Sequence, residues 1–175
     1  MKERKGIVTL AGRPVTLIGN EVNVGEPAPD VELITPDLEP VKLSAFRGKL
    51  CVISSVPSLE HPEYDEEVRH FNLEAQALDP KVTILTVSMD LPFAQKRWRD
   101  MAQVDRVHTL SDYLKAAFGL AYGVLIKEFR LLSRAMFVVD EEGIIRYRQL
   151  VPDNRKVSSP HWSWSDLQRR NSARA

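Results

Sequence analysis

The sequence contains a single cysteine, Cys51, among 175 residues. One thiol cannot form a disulfide within the chain, which excludes a small disulfide-stabilised secreted scaffold and fits a reducing compartment. No long apolar run follows the charged residues at the N-terminus. The sequence therefore predicts neither a signal peptide nor a transmembrane span, and we expect a cytoplasmic protein.

The formal net charge is zero, because lysine and arginine together number 24 and aspartate and glutamate together also number 24. This balance gives no support for a nucleic-acid or membrane partner. The basic run at 96–99, Lys-Arg-Trp-Arg, is better interpreted as part of a surface helix than as a nucleic-acid site. The eight glycines are scattered among predicted turns and form no phosphate-binding loop.

The length suits one domain, 1–175, with a sizeable core. Short β-branched and apolar runs alternate with segments of helical spacing. The runs predict strands at 7–10, 15–18, 31–33, 41–43, 50–56, 82–89, 135–139 and 144–150. The helical spacing predicts helices at 65–78, 92–101, 114–121 and 164–170. Buried strands that alternate with helices, followed by a late hairpin, predict a mixed sheet with helices on both faces.

Two segments carry a family resemblance. VPSLEHPEYD at 56–65 resembles the peroxidatic-cysteine segment of the thiol peroxidases, a bacterial subfamily of the peroxiredoxins. That segment reads Pro-Ser-x-Asp-Thr-x-x-Cys in the family, so His61 stands at the threonine position and Tyr64 at the cysteine position. DLPFAQKRWR at 90–99 resembles a second family motif, which ends in the resolving cysteine, where this chain has Arg99.

The resemblance runs from about residue 8 to residue 152, and the segment 153–175 diverges from it. It implies a thioredoxin-like fold with an N-terminal β-hairpin, and a homodimer. It also implies a peroxide pocket formed by Pro57, His61, Tyr64 and Arg134, in which Pro57 matches the pocket proline and Arg134 the pocket arginine. In the family a thiolate in the first turn of a helix faces that arginine.

The predicted pocket therefore retains its cationic surroundings but has no thiol at its centre. A phenol has a pKa of about 10 and lacks the oxidisable sulfur of the peroxidase cycle, so Tyr64 is a poor replacement. The first hypothesis is a pseudoenzyme with a binding or regulatory role. The second is an enzyme with different chemistry that uses Tyr64, His61 and Arg134 in the same pocket.

The third hypothesis is a one-cysteine peroxidase that acts through Cys51. This residue lies in a predicted buried strand, so we interpret it as a small core hydrophobe. His61, Glu66 and His70 are candidate metal ligands, but their spacing and charged neighbours favour an ordinary solvated helix face. The sequence thus predicts no cofactor and no metal.

Arg134 requires a counter-charge if Tyr64 is neutral, because an uncompensated buried charge is costly. We expect it to pair with Glu60 or Glu63, to hydrogen-bond the Tyr64 hydroxyl, or to hold an anion. The salt bridge is favoured because it needs no ligand.

Overall fold

The computed structural model describes residues 1–77, 80–152 and Arg169. The predicted helix at 164–170 and the divergent segment 153–175 lie outside the described residues, apart from Arg169. Among the described residues, no helix combines the length and apolar character needed to cross a membrane.

Eleven strands and three α-helices make up the described part of the chain. The strands are β1 (Glu3–Leu10), β2 (Arg13–Ile18), β3 (Glu32–Ile34), β4 (Pro40–Lys42), β5 (Cys51–Ser55), β6 (Thr83–Ser88), β7 (Val107–Ser111), β8 (Leu125–Ile126), β9 (Leu131–Leu132), β10 (Ala135–Val139) and β11 (Ile145–Leu150). The helices are α1 (Pro62–Gln76), α2 (Pro92–Ala102) and α3 (Ala117–Ala121), and a 3-10 helix spans Leu43–Phe46.

The strands form two sheets. The larger has the order β11-β10-β5-β6-β7-β3-β4, in which β5, β6 and β7 run parallel and the other pairs are antiparallel. The smaller has the order β1-β2-β8-β9. The mixed sheet and the N-terminal hairpin confirm the predicted thioredoxin-like fold, whereas the five-residue strand β7 and the two-residue strands β8 and β9 were not predicted.

Alternate residues of the central strands enter two separate cores. Val52, Ile84 and Val138 pack with α1 and α2 on one face of the large sheet. Ile53 and Phe137 pack with α3 on the opposite face. This arrangement explains the near-continuous apolar runs, because strands buried on both faces need apolar residues at every position. Each fully buried Val, Leu, Ile or Phe contributes about 1.5–3 kcal/mol relative to leaving it exposed.

Candidate functional site

The site lies where β5 ends and α1 begins. Helix α1 starts at Pro62, and the Nδ1 atom of the N-cap residue His61 accepts a hydrogen bond from the backbone N–H of Glu63 at 3.4 Å. The sequence prediction placed the helix start three residues later, at Asp65. Proline at the first helical position and the histidine cap account for the earlier start. Tyr64 therefore lies in the first turn, and His61 is the exposed N-cap residue that precedes it.

Tyr64 and Arg134 are both buried and stacked on each other. Their exposed fractions are 4% and 2%. The guanidinium carbon of Arg134 lies 5.5 Å from the centre of the Tyr64 ring, within the range of a cation–π interaction. The His61 ring lies 4.8 Å from the Tyr64 ring. The structure thus brings these three predicted site residues together.

The carboxylate that pairs with Arg134 belongs to Glu67. Arg134 Nη2 and Nε donate to Glu67 Oε2 at 2.7 and 3.0 Å. The expectation of Glu60 or Glu63 as the ion-pair partner was therefore wrong. Glu67 follows Tyr64 by three residues, which places both side chains on the same face of α1.

Burial dominates the electrostatics of this pair. It raises the pKa of Glu67, and the charge and hydrogen bonds of Arg134 offset that rise only in part. The pair brings a positive and a negative group into contact beneath the aromatic ring. The charge of Arg134 is therefore already balanced by Glu67, which weakens its attraction for an added anion.

The loop between β5 and α1 is fixed by Asp90, which follows β6. Its carboxylate accepts hydrogen bonds from Ser58 Oγ at 2.7 Å, from the backbone N–H of Leu59 at 2.8 Å and from Ser88 Oγ at 2.7 Å. Pro57 lies just before this anchored segment and is buried. Sequence reasoning missed Asp90 as a positioning residue, although a carboxylate that directly follows a buried strand could have indicated it.

The motif at 90–99 forms the start and middle of α2. Trp98 is 8% exposed, and its Nε1–H donates to Asp65 Oδ1 at 2.6 Å, which ties α2 to α1. Arg99 is partly exposed in the last turn. Lys96 pairs with Asp37 at 3.1 Å on the surface. The basic run thus lies on a surface helix as predicted, but its tryptophan belongs to the core.

Comparison with known proteins identifies the family. The Redoxin family model matches residues 23–161. The thiol peroxidase of Oceanobacillus iheyensis is 54% identical over 140 residues, which cover 80% of this chain and 85% of that protein. The thiol peroxidase of Bacillus subtilis is 46% identical over 146 residues, covering 83% and 87% of the two chains. A crystal structure of a peroxiredoxin-like protein from Aquifex aeolicus superposes with a TM-score of 0.82 at 34% identity, over 95% of both chains.

The chain belongs to the thiol peroxidase group of the redoxin family. The resemblance drawn from the two motifs is confirmed at this level. In this redoxin, position 64 of the first motif is tyrosine and position 99 of the second is arginine.

The one thiol of this redoxin lies away from the Tyr64 site. Cys51 is the first residue of β5, whereas Pro57 and Tyr64 follow the other end of that strand. It is 5% exposed, and burial raises its pKa to about 12. Its interpretation as a small core residue is confirmed.

The histidines weighed as metal ligands do not converge. His70 Nε2 lies 3.1 Å from Glu74 Oε1 on the exposed face of α1, and His61 serves as the helix cap. Within residues 1–77 and 80–152, no group of three or more His, Cys, Asp or Glu side chains is arranged to hold a metal ion.

Proposed function

We propose that this redoxin does not perform the thiol peroxidase cycle and acts instead as a binding or regulatory protein. The observation that carries the proposal is the Tyr64–Arg134–Glu67 cluster. A buried aromatic ring occupies the first turn of α1, and the adjacent arginine is paired with a buried carboxylate. In the cycle, this position requires a thiolate that can be oxidised to a sulfenic acid.

The environment of Cys51 supports the same proposal. A peroxidatic cysteine must be accessible, and its pKa must be low enough for a useful thiolate population. Cys51 is 5% exposed, with a pKa of about 12. These properties count against the hypothesis of a one-cysteine peroxidase.

Altered chemistry in the same pocket is the second candidate. The contact between the His61 and Tyr64 rings, at 4.8 Å, favours it, because a histidine near a phenol can support proton transfer. Substrate access counts against it, since Tyr64 and Arg134 are 4% and 2% exposed. The burial of both residues supports the pseudoenzyme as the first choice.

The deciding experiment is a peroxidase assay coupled to thioredoxin, thioredoxin reductase and NADPH, with hydrogen peroxide and cumene hydroperoxide as substrates. We expect no turnover above the rate without protein. The double variant Tyr64→Cys/Arg99→Cys serves as a positive control, because it returns both thiols to this scaffold. Wild-type turnover that disappears in Cys51→Ser would refute the proposal and establish Cys51 as the nucleophile.

We also propose that the protein is a homodimer in the cytoplasm. The likeness to thiol peroxidases supports the dimer, and the single cysteine fits a reducing compartment. Sedimentation equilibrium measures the mass directly, and a species of the monomer mass of 19.9 kDa at all concentrations would refute the dimer.

A further inference from the structure

A cavity of about 330 Å³ lies between strands β1 and β11, each at the edge of its sheet. The backbone N–H of Thr9 donates to the carbonyl of Pro152 at 2.8 Å and joins the two chain segments. The cavity is lined by Phe137, whose side chain belongs to the core opposite that of Tyr64. It is therefore separate from the Tyr64–Arg134 cluster.

The inner part of the cavity is apolar. Tyr122, Val124 and Phe137 line it from the main core, and Leu150 and the exposed side chain of Ile7 contribute from β11 and β1. Small-molecule sites combine such apolar walls with a few polar groups, in volumes that begin at about 300 Å³. The size and lining thus fit a ligand with an apolar body.

The charged lining carries an excess of positive charge. Arg4 and Arg148 share one carboxylate: Glu21 Oε1 lies 2.9 Å from Arg148 Nη1 and 3.5 Å from Arg4 Nη1. Arg148 Nη1 also donates to the carbonyl of Val22 at 2.6 Å. Two guanidinium groups against one carboxylate leave a net charge of one positive unit, which favours an anionic ligand.

Arg4 also has an unused donor. Its Nη2 group donates to the carbonyl of Gly123, but its Nε–H is buried and has no acceptor among the described residues. A buried donor without an acceptor is unfavourable, and bonds from guanidinium to carboxylate are among the strongest. Because this Nε–H has almost no accessible surface, a ligand carboxylate in the cavity would reach it only after rotation of the Arg4 side chain.

We propose that this cavity binds a small monocarboxylate of about ten heavy atoms in all, with an apolar body, a size set by the cavity volume. The ligand carboxylate lies against Arg148, on the side of its guanidinium away from Glu21, with Arg4 adding positive charge nearby, and the apolar body packs on Val124, Phe137 and Leu150. The site does not rest on the proposed loss of peroxidase activity, because Tyr64 and Arg134 do not line it.

The test uses octanoate as the probe, with octanol as its uncharged counterpart, in titrations of the full chain followed by amide NMR. Octanoate should produce saturable chemical-shift changes at Gly123, Val124 and Leu150. Octanol should bind at least about tenfold more weakly than octanoate. Equal affinity for the two probes, shifts that centre elsewhere, or no saturable shift would overturn the proposal.

Substitution of each arginine tests whether Arg4 and Arg148 contribute to octanoate binding. Arg4→Met and Arg148→Met should each weaken octanoate binding by about fivefold or more, an effect in the range of a lost charged hydrogen bond. The matched control, Arg13→Met, alters an exposed arginine of β2 outside the cavity and should leave binding unchanged. If Arg4→Met fails to fold, Arg148→Met decides, because the Arg148 side chain is 38% exposed. Wild-type affinity in Arg148→Met would refute the proposed carboxylate position.

A blocking variant tests the location independently of charge. Ile7 is 43% exposed at the cavity, so Ile7→Trp adds bulk without disturbing the core. We expect octanoate binding to be lost in Ile7→Trp and retained in Ile7→Val. Retention in both variants would show that the probe binds elsewhere and would refute the site.

Discussion

Trp98 Nε1 donates a 2.6 Å hydrogen bond to Asp65 Oδ1, and this bond joins helix α2 to helix α1. Asp65 directly follows Tyr64, and Trp98 directly precedes Arg99, so the bond connects neighbours of the two positions where the family motifs have cysteines. Asp65 Oδ1 also accepts from Arg69 Nε at 2.7 Å. A noncovalent link thus holds together the two helices that carry these positions.

Trp98→Phe should lower the free energy of unfolding, because it removes the indole N–H from a charged acceptor while retaining an aromatic ring. We expect a loss of about 1–3 kcal/mol, measured by urea denaturation. A double-mutant cycle supplies the control: in an Asp65→Ala background the same change should cost much less, since the acceptor is gone. Equal losses of unfolding free energy in the two backgrounds would show that the hydrogen bond between Trp98 and Asp65 does not contribute to stability.

Arg134→Met should destabilise the fold at neutral pH, because it leaves the buried Glu67 carboxylate without its partner. The expected loss is about 3–5 kcal/mol, as for other broken buried pairs. Arg69→Met is the matched control, since Arg69 is 43% exposed and its pair with Asp65 should contribute less than about 1 kcal/mol. A similar small loss for both arginines would contradict the structural importance of the buried pair.

The stability of Arg134→Met should also depend on pH in a defined direction. Burial raises the pKa of Glu67 from its ordinary 4.5, and the substitution removes the two contributions of Arg134 that lower it. At pH values between 4.5 and the raised pKa of Glu67, the native state of the variant then binds more protons than its unfolded state. Its unfolding free energy should therefore fall as the pH rises through that window, and its deficit against wild type should be smaller near pH 4.5 than at pH 7. Carbon-13 NMR of the Glu67 carboxyl group should show a higher pKa in the variant than in wild type. An unchanged pKa would refute the claim that Arg134 lowers the pKa of Glu67.

Cys51 should react slowly with a chromogenic disulfide reagent in the native protein and rapidly in denaturant. The thiol is 5% exposed and its pKa is raised to about 12, so both access and thiolate formation are restricted. The absorbance change over time provides the measurement, with Cys51→Ser as the blank. Reaction at the denatured rate without denaturant would contradict the burial.

Tyr64→Cys, made in a Cys51→Ser background, should gain reactivity towards hydrogen peroxide. The new thiol would lie in the first turn of α1, where the helix N-terminus stabilises a thiolate, although the nearby Arg134 is already paired with Glu67. Dimedone trapping and mass spectrometry should detect a sulfenic acid on residue 64. Leu59→Cys in the same background is the control, since Leu59 is 1% exposed and precedes the helix. Equal trapping at both positions would indicate that the helix turn confers no special reactivity.

The local sequence pattern anticipated most of the fold. Continuous apolar runs predicted β5 and β6, and helical spacing predicted α1 and α2, because these patterns express burial on both faces of a strand and on one face of a helix. Three strands were not predicted. Strand β7 was missed because the polar residues His108 and Thr109 interrupt its apolar run, and β8 and β9 were missed because a strand of two residues has no periodicity of its own.

Sequence by itself determined the chemistry that position 64 can offer, since a phenol replaces the expected thiol whatever the fold around it. It also indicated that Arg134 needs a counter-charge, because a buried cation is unfavourable without one. Which carboxylate meets that need was decided by tertiary structure. Glu67 and Arg134 are 67 residues apart in the chain, and only the packing of α1 against the start of β10 brings them to 2.7 Å. The cavity beside Arg4 arises in the same way, because it forms only where the edges of two sheets meet.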